Sequence, residues 1–277
     1  MPRAVKFAGS RMYFLKNEGA LLEFALFKFA LDHLVSRGFH PMIVPQLVRR
    51  EAMFGTGFFP LGEEDTFHIE KDQLYLIGTS EVSLVSYHMD EILNEKELPK
   101  RYCGYSTCFR REAGSYGRDV KGFYRLHQFN KVEQVVICKN DPEVSAAEHR
   151  LILNNVEEIM QALGLPYRVA LACGGEIGQG QVLKHEVETW MPSRGKYSET
   201  HSCSSLYEFQ ARRAKIRWRG TNGKTQYCHT LNNTAIASPR IMIPILENFQ
   251  NADGSVTIPE VLRPLMGGME RIEPKGI

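Results

Sequence analysis

The sequence lacks any apolar run of the roughly 18 residues that a membrane-spanning helix needs. Its start, MPRAVKFAGSRMYF, lacks the apolar centre of a secretory signal. Its six cysteines (Cys103, Cys108, Cys138, Cys173, Cys203 and Cys228) never form a CxxC pair. That argues against a zinc knuckle or a disulfide framework and fits a reducing, cytoplasmic compartment. Internal repeats and Gly/Ser- or Pro-rich linkers are also missing, so the 277 residues are read as one domain, 1–277. Charge of one sign is scarce as well. The 34 basic residues nearly balance the 32 acidic ones, and a net +2 gives no pointer to a nucleic-acid partner. What is present is ordinary globular material: 43% hydrophobic and 24% charged residues exclude disorder and collagen.

Ala20–Arg37 is apolar over most of a helical circumference and ends at Gly38, which predicts a helix buried on more than one side. Met42–Val48 reads as a strand, and Pro45 inside it requires an edge, a bulge or an interface. A helix is expected over Ser80–Lys96, with Thr79 or Ser80 as its cap. Arg101–Arg111 and Phe123–Cys138 read as two long antiparallel strands, joined by the polar loop Glu112–Gly122. Asp141-Pro142-Glu143 opens a helix that Gly164 closes. Strands follow at Tyr167–Cys173, His185–Met191, Ala211–Arg219 and Thr225–Leu231, and Ser238-Pro239 opens a last helix, Arg240–Phe249. Many strands without βαβ alternation predict an α+β fold, an antiparallel sheet flanked by helices.

Familiar catalytic signatures are missing. Gly174–Gly180 matches neither dinucleotide- nor P-loop spacing and reads as a loop, and HExxH, GxSxG and His/Cys clusters do not occur. What remains is charge placed where strands need none. If Phe123–Cys138 is pleated, Arg125, His127, Phe129, Lys131 and Glu133 face one way, as a site or as a solvated sheet face. Glu199-Thr200-His201-Ser202 could offer a carboxylate and a hydroxyl to Mg2+, as could any polar turn. Arg240, just after a helix start, opposes the helix dipole unless an anion is expected there. In Arg212–Arg219, alternation puts Ile216 and Trp218 on one face and Lys215, Arg217 and Arg219 on the other, a solvated face or one that contacts RNA.

Read together and in order, FRREAGSYGRDVKG, HQFNKVE, ETHSCS, FQARR and HTLNNTAIASPR resemble the catalytic domain of the class II aminoacyl-tRNA synthetases, specifically the seryl family. The likeness runs from Gly9 to about Gly268. Ala20–Arg37 with Pro45 is similar to the first class II motif, a dimer-interface element. Phe109–Glu112, the Ala113–Lys121 loop and Arg125–Glu133 are similar to the second, and Thr234–Arg240 to the third.

The resemblance implies an antiparallel sheet in a homodimer, with ATP, L-serine and tRNA(Ser) as partners and no membrane. By matching positions, Arg110 holds the α-phosphate and the serine carboxylate, Glu112 orients the adenine end and Arg240 lies against the γ-phosphate, making these three the catalytic set. Arg111, Leu126, Phe129, Glu199, Thr200, His201 and Ser202 complete the ATP site, with Phe129 stacked on adenine. Glu199 and Ser202 take the Mg2+ that accompanies ATP, and no zinc set is present. Thr79, Ser80, Glu81, Arg110, Glu133, Asn232 and Thr234 form the serine pocket. The reaction needs no general base, because serine's carboxylate is already ionised. Cations and alignment must overcome the repulsion between two anions. Seryl-tRNA synthetases carry an N-terminal helical arm that grips tRNA, and the expectation here is a core without it, competent in adenylate formation and weak in transfer. An arm-less relative that loads an amino acid onto a carrier protein is the alternative.

Overall fold

A computed structural model describes residues 2–113 and 122–274, so most of the Ala113–Lys121 loop lies outside the described residues. Seven strands build the main sheet: β1 (His40–Ile43), β2 (Lys100–Phe109), β3 (Gln128–Cys138), β4 (Tyr167–Leu171), β5 (Leu183–Met191), β6 (Lys196–Tyr207) and β7 (His229–Ser238). Their order is β1-β2-β3-β7-β6-β5-β4. Every neighbour is antiparallel except β1, which runs parallel to β2. The sheet is therefore antiparallel, as expected, with one parallel edge strand. Pro45 separates β1 from the short strand Leu47–Val48 of a different sheet, so the Met42–Val48 run is two strands.

The helices are α1 (Pro2–Ala8), α2 (Glu18–Ser36), α3 (Arg50–Gly55), α4 (Glu81–Ser86), α5 (Pro142–Ala162), α6 (Phe209–Ala214) and α7 (Met242–Asn248). In α5 the Asp141 side chain accepts from the backbone N–H groups of Glu143 and Val144, with Pro at the first helical position. Helices α2 and α5 cover one face of the sheet. Ile152, Val156 and Ile159 of α5 join Leu22, Leu26 and Ala30 of α2 over Val132 and Val136 of β3. Because successive residues of a strand point to opposite faces, Lys131 and Glu133 emerge on the other side. There a second core, containing Met53, Ile77, Val82, Val135 and Trp218, supports a cleft.

Further elements differ from expectation. Thr225–Leu231 is not one strand: Thr225–Tyr227 pairs with Arg217–Arg219 in a small sheet, and β7 begins only at His229 in the main sheet. Leu21, Phe24 and Val35 of α2 are exposed, so only one stripe of that helix is buried. The helix expected over Ser80–Lys96 stops at Ser86 and gives way to i→i−3 turns at His88 and Met89, after which Asp90 is left-handed and its N–H bonds the Ala214 carbonyl. A strand then follows, Ile92–Asn94, with Leu93 buried. Ala211–Arg219 is not one strand: α6 buries Gln210, Ala211 and Ala214 at helical spacing, Lys215 turns, and only Arg217–Arg219 is extended. The last helix starts at Met242, which leaves Arg240 in the turn before it.

Candidate active site

On the sheet face opposite α2 and α5 lies a cavity of about 420 Å3. Its walls come from the end of β2, the Phe123–Leu126 segment, β3, β6, β7 and the turn carrying Arg240. Two bulges aim side chains into it: the register shifts between Glu199 and His201 on β6, and between Thr234 and Ile236 on β7. Such bulges re-aim side chains at functional sites. On β7 the result is that Thr234 and Ala237 line the cavity while Ala235 and Ile236 join the core.

One end of the cavity is cationic and aromatic. The Arg110 Nε donates to the Gly78 carbonyl (3.3 Å), and its guanidinium lies 5.2 Å from the Phe129 ring centroid. The Arg240 Nε donates to the Tyr124 carbonyl (3.1 Å) and its Nη1 to the Glu199 carbonyl (3.5 Å). Two guanidiniums lie over the Tyr124 ring, Arg194 at 4.1 Å and Arg240 at 4.5 Å from its centroid. Burial pushes the Arg240 pKa below its ordinary value, opposed by Tyr124 and Glu199. Glu112 pairs with Arg125 at 3.1 Å and adopts a positive φ of 53°.

The other end is a buried polar chamber. Glu133, 2% exposed, accepts from the hydroxyls of Thr79 (3.5 Å) and Thr234 (3.4 Å) and is ion-paired with Lys131. Glu81 accepts from the amides of Asn232 (2.8 Å) and Gln210 (2.7 Å) on the same oxygen, Oε1. Burial, and next the charge of Glu133, raise the Glu81 pKa to about 7. Two acids in one chamber form a receptor for a small cation, while Arg240 suits an anion and Arg110 acts on both Glu81 and Arg240.

Residues 66–249 match the tRNA synthetase class II core domain (G, H, P, S and T). The chain belongs to the class II tRNA synthetase core family. It is 52% identical over 268 residues to the serine–tRNA ligase of Deinococcus radiodurans, covering 97% of this chain and 63% of that protein. A seryl-tRNA synthetase crystal structure from Pyrococcus horikoshii, complexed with ATP, superimposes with a TM-score of 0.95 at 46% identity, over 99% of this chain and 61% of that one. The cytoplasmic serine–tRNA ligase of Naegleria fowleri with AMP gives a TM-score of 0.93 at 34% identity, over 99% and 64%. A prolyl-tRNA synthetase from Giardia lamblia, 15% identical with a TM-score of 0.82, shares the fold alone. This synthetase core thus spans a little under two thirds of the length of these seryl relatives.

Within the core, Arg110, Glu112, Leu126, Phe129, Glu199, Thr200, His201, Ser202 and Arg240 all line the cavity, as do Thr79, Glu81, Glu133, Asn232 and Thr234. Arg111 and Ser80 do not. Arg111 is exposed, with its N–H bonded to the Asp65 carbonyl, and the Ser80 hydroxyl donates to the Gly104 carbonyl beneath α4. Arg125 and His127 precede β3, so the alternation holds only from Phe129 onward. His201 is a neutral wall, because burial pushes its pKa down to about 3. The Thr200 hydroxyl turns away toward β5, 2.7 Å from that of Thr189.

Tyr124, Gln210 and the Gly178–Gln181 loop also line the site, beyond the residues sequence reasoning assigned to it, and so does Lys131, which the sequence offered only as one member of a strand face. Gly57 and Gly180, at φ 83° and 84°, belong to two loops that border the cavity, and a Cβ on either would collide with the Phe209 ring between them. Gly180→Ala should therefore destabilise the chain by about 1–3 kcal/mol from overpacking alone, read as a lower denaturation midpoint. An unchanged midpoint would mean that Phe209 does not wedge the two loops.

Proposed function

We propose that the chain is the adenylate-forming core of a serine–tRNA ligase. It would condense L-serine with ATP to seryl-adenylate and pyrophosphate, then pass the seryl group to the terminal adenosine of tRNA(Ser). The observation that carries this reading is the polarity of one continuous cavity, with acids and hydroxyls in one chamber, Arg240 on another wall, and Arg110 coupled electrostatically to both Glu81 and Arg240. In the first step a serine carboxylate oxygen attacks the α-phosphorus and the bond to the β-phosphate oxygen breaks. No proton has to move, which accounts for a site without a general base. Arg110 offsets the repulsion between the two anions, and Phe129 offers an adenine base a stacking plate. Lys131 neutralises part of the acidic chamber, so a serine ammonium group meets a moderate negative potential.

Glu199 and Ser202 present hard oxygen donors on one wall. That donor set suits Mg2+ completed by substrate phosphates, and the ion would neutralise charge on the leaving pyrophosphate. Among the described residues no cluster of three His, Cys, Asp or Glu side chains could hold a metal on its own. The metal is therefore read as arriving with ATP.

The reading includes a homodimer in the cytoplasm. Among the described residues no helix is long and apolar enough to cross a membrane. Phe24, Leu21 and Val35 on α2 and Ile43 on the open edge strand β1 form exposed apolar surface that a second copy would cover. Phe24→Glu should convert a dimer to monomer in sedimentation, and an unchanged sedimentation coefficient would exclude that surface. The identity to serine–tRNA ligases supports tRNA over a carrier protein as acceptor. Serine-dependent ATP–pyrophosphate exchange tests the proposal, and absence of exchange with serine would overturn it. Charging of tRNA(Ser) by the same sample tests the transfer step.

A further inference from the structure

We propose that Gln210 is a positioning residue for the amino-acid end of the cavity: its buried carboxamide fixes the Glu81 carboxylate so that it can receive the ammonium group of the substrate. The proposal rests on the serine-activating reading above. Gln210 lies on α6 and is 1% exposed. Its Nε2 donates to Glu81 Oε1 at 2.7 Å and to the Thr56 carbonyl at 3.0 Å, while its Oε1 accepts from the Thr230 hydroxyl at 2.7 Å. An ionised carboxylate and a carbonyl can only accept, so the NH2 group must face Glu81 and Thr56, and the amide has one workable orientation. Thr230 on β7 holds the far side of the amide and thereby fixes its rotation.

Glu81 needs such a holder. It is 8% exposed and shares its chamber with Glu133, so ionising it is costly. The groups that face it are Glu133 and Lys131 from β3, Arg110 at the end of β2, Asn232 from β7 and Gln210 from α6. Burial and Glu133 favour the protonated acid, and the Gln210 bond is foremost among those that oppose them. A donor to a carboxylate stabilises its charged form, so losing that donor raises the pKa further. A protonated Glu81 cannot pair with an ammonium ion. Both amides bond Oε1, so Oε2 takes no share in these two bonds.

A mere packing brace between α6, β7 and the Thr56 loop would have the same coordinates, and the pH dependence separates the two roles. Gln210→Met keeps the volume and removes the donor. Exchange is measured at varied serine and ATP between pH 6 and 8.5, with the unmodified chain as reference. At pH 7 the serine KM should rise about 10- to 100-fold, the span expected for a lost bond to a charged group, with the ATP KM within about twofold. The acid limb of serine binding should move to higher pH, so the serine KM gap narrows as pH rises. Thr230→Val leaves Gln210 in place but frees its rotation, and should shift the same limb less far. It decides the matter if Gln210→Met fails to fold. Serine and ATP KM values that rise together, or an acid limb that stays in place, would overturn the proposal. No serine-dependent exchange by the unmodified chain would instead overturn the serine reading, and this inference with it.

Discussion

Replacing Arg240 by alanine is expected to lower serine-dependent ATP–pyrophosphate exchange by about a thousandfold or more, the scale on which a phosphate-directed arginine acts. The turn before α7 brings Arg240 to the cavity wall, where two carbonyl bonds and the Tyr124 ring fix the plane of its guanidinium. A cation whose orientation is set before the substrate arrives needs no reorganisation as negative charge builds on the leaving pyrophosphate. Arg240→Lys should recover little of the loss, since a point charge cannot hold both carbonyls and stack at once. The fold should survive. Burial already disfavours this charge, so its removal relieves a desolvation cost that offsets the lost packing, and the melting temperature should move by only a few degrees. Exchange at an unchanged rate would remove Arg240 from the phosphate site.

The parts of the fold that the sequence made legible are those where local pattern and burial agree. The hairpin β2–β3 alternates cleanly from Phe129 onward, and α5 carries its cap, its Pro and its closing Gly in order. Strand β6 escapes a reading by hydrophobicity, because Ser198, Thr200, Ser202, Ser204 and Ser205 make it look like a polar loop. Those side chains serve the cavity, or the layer behind it, where the Ser205 hydroxyl lies 2.8 Å from His149. The same holds for β7, which is buried along its whole length although Asn232, Asn233 and Thr234 interrupt its apolar run. A buried strand whose polar residues line a cavity breaks the pattern that marks strands. For α4 the obstacle was different. Its continuation depends on the Asp90 turn and on pairing of Ile92–Asn94 with Arg217–Arg219, more than a hundred residues away, and nothing local encodes either.

The site residues divide along the same line. Arg110, Glu133 and Arg240 were legible as charge that neither a strand nor a helix start needs for stability. Ser80 and Arg111 followed from adjacency in the motifs, yet neither lines the cavity: the Ser80 hydroxyl bonds the Gly104 carbonyl and Arg111 is exposed. Gln210 sat in plain view within FQARR, but its partners Glu81 and Thr230 lie on two other elements, and only the fold brings the three together.

Glu133→Ala should raise the serine KM by about 30- to 1,000-fold, the effect of truncating one partner of a buried charge pair, and leave the ATP KM within about twofold. Two separate causes act in the same direction. The first is loss of the carboxylate that, with the Thr79 and Thr234 hydroxyls, forms the wall for the substrate's polar head. The second is that Lys131, 5% exposed and paired with Glu133, is left as an uncompensated buried cation that repels an ammonium ion. Neither involves Arg240 or Phe129, the residues proposed to meet the nucleotide, so the effect should be confined to the amino acid. Glu133→Gln keeps an acceptor for both hydroxyls and isolates the charge. The double variant Glu133→Ala/Lys131→Met removes the repulsion and should bind serine better than Glu133→Ala alone, a non-additivity expected of residues in direct contact. Equal changes in the serine and ATP KM values would make Glu133 a structural residue. A double variant no better than the single one would show that the lost attraction, and not the stranded lysine, accounts for the effect.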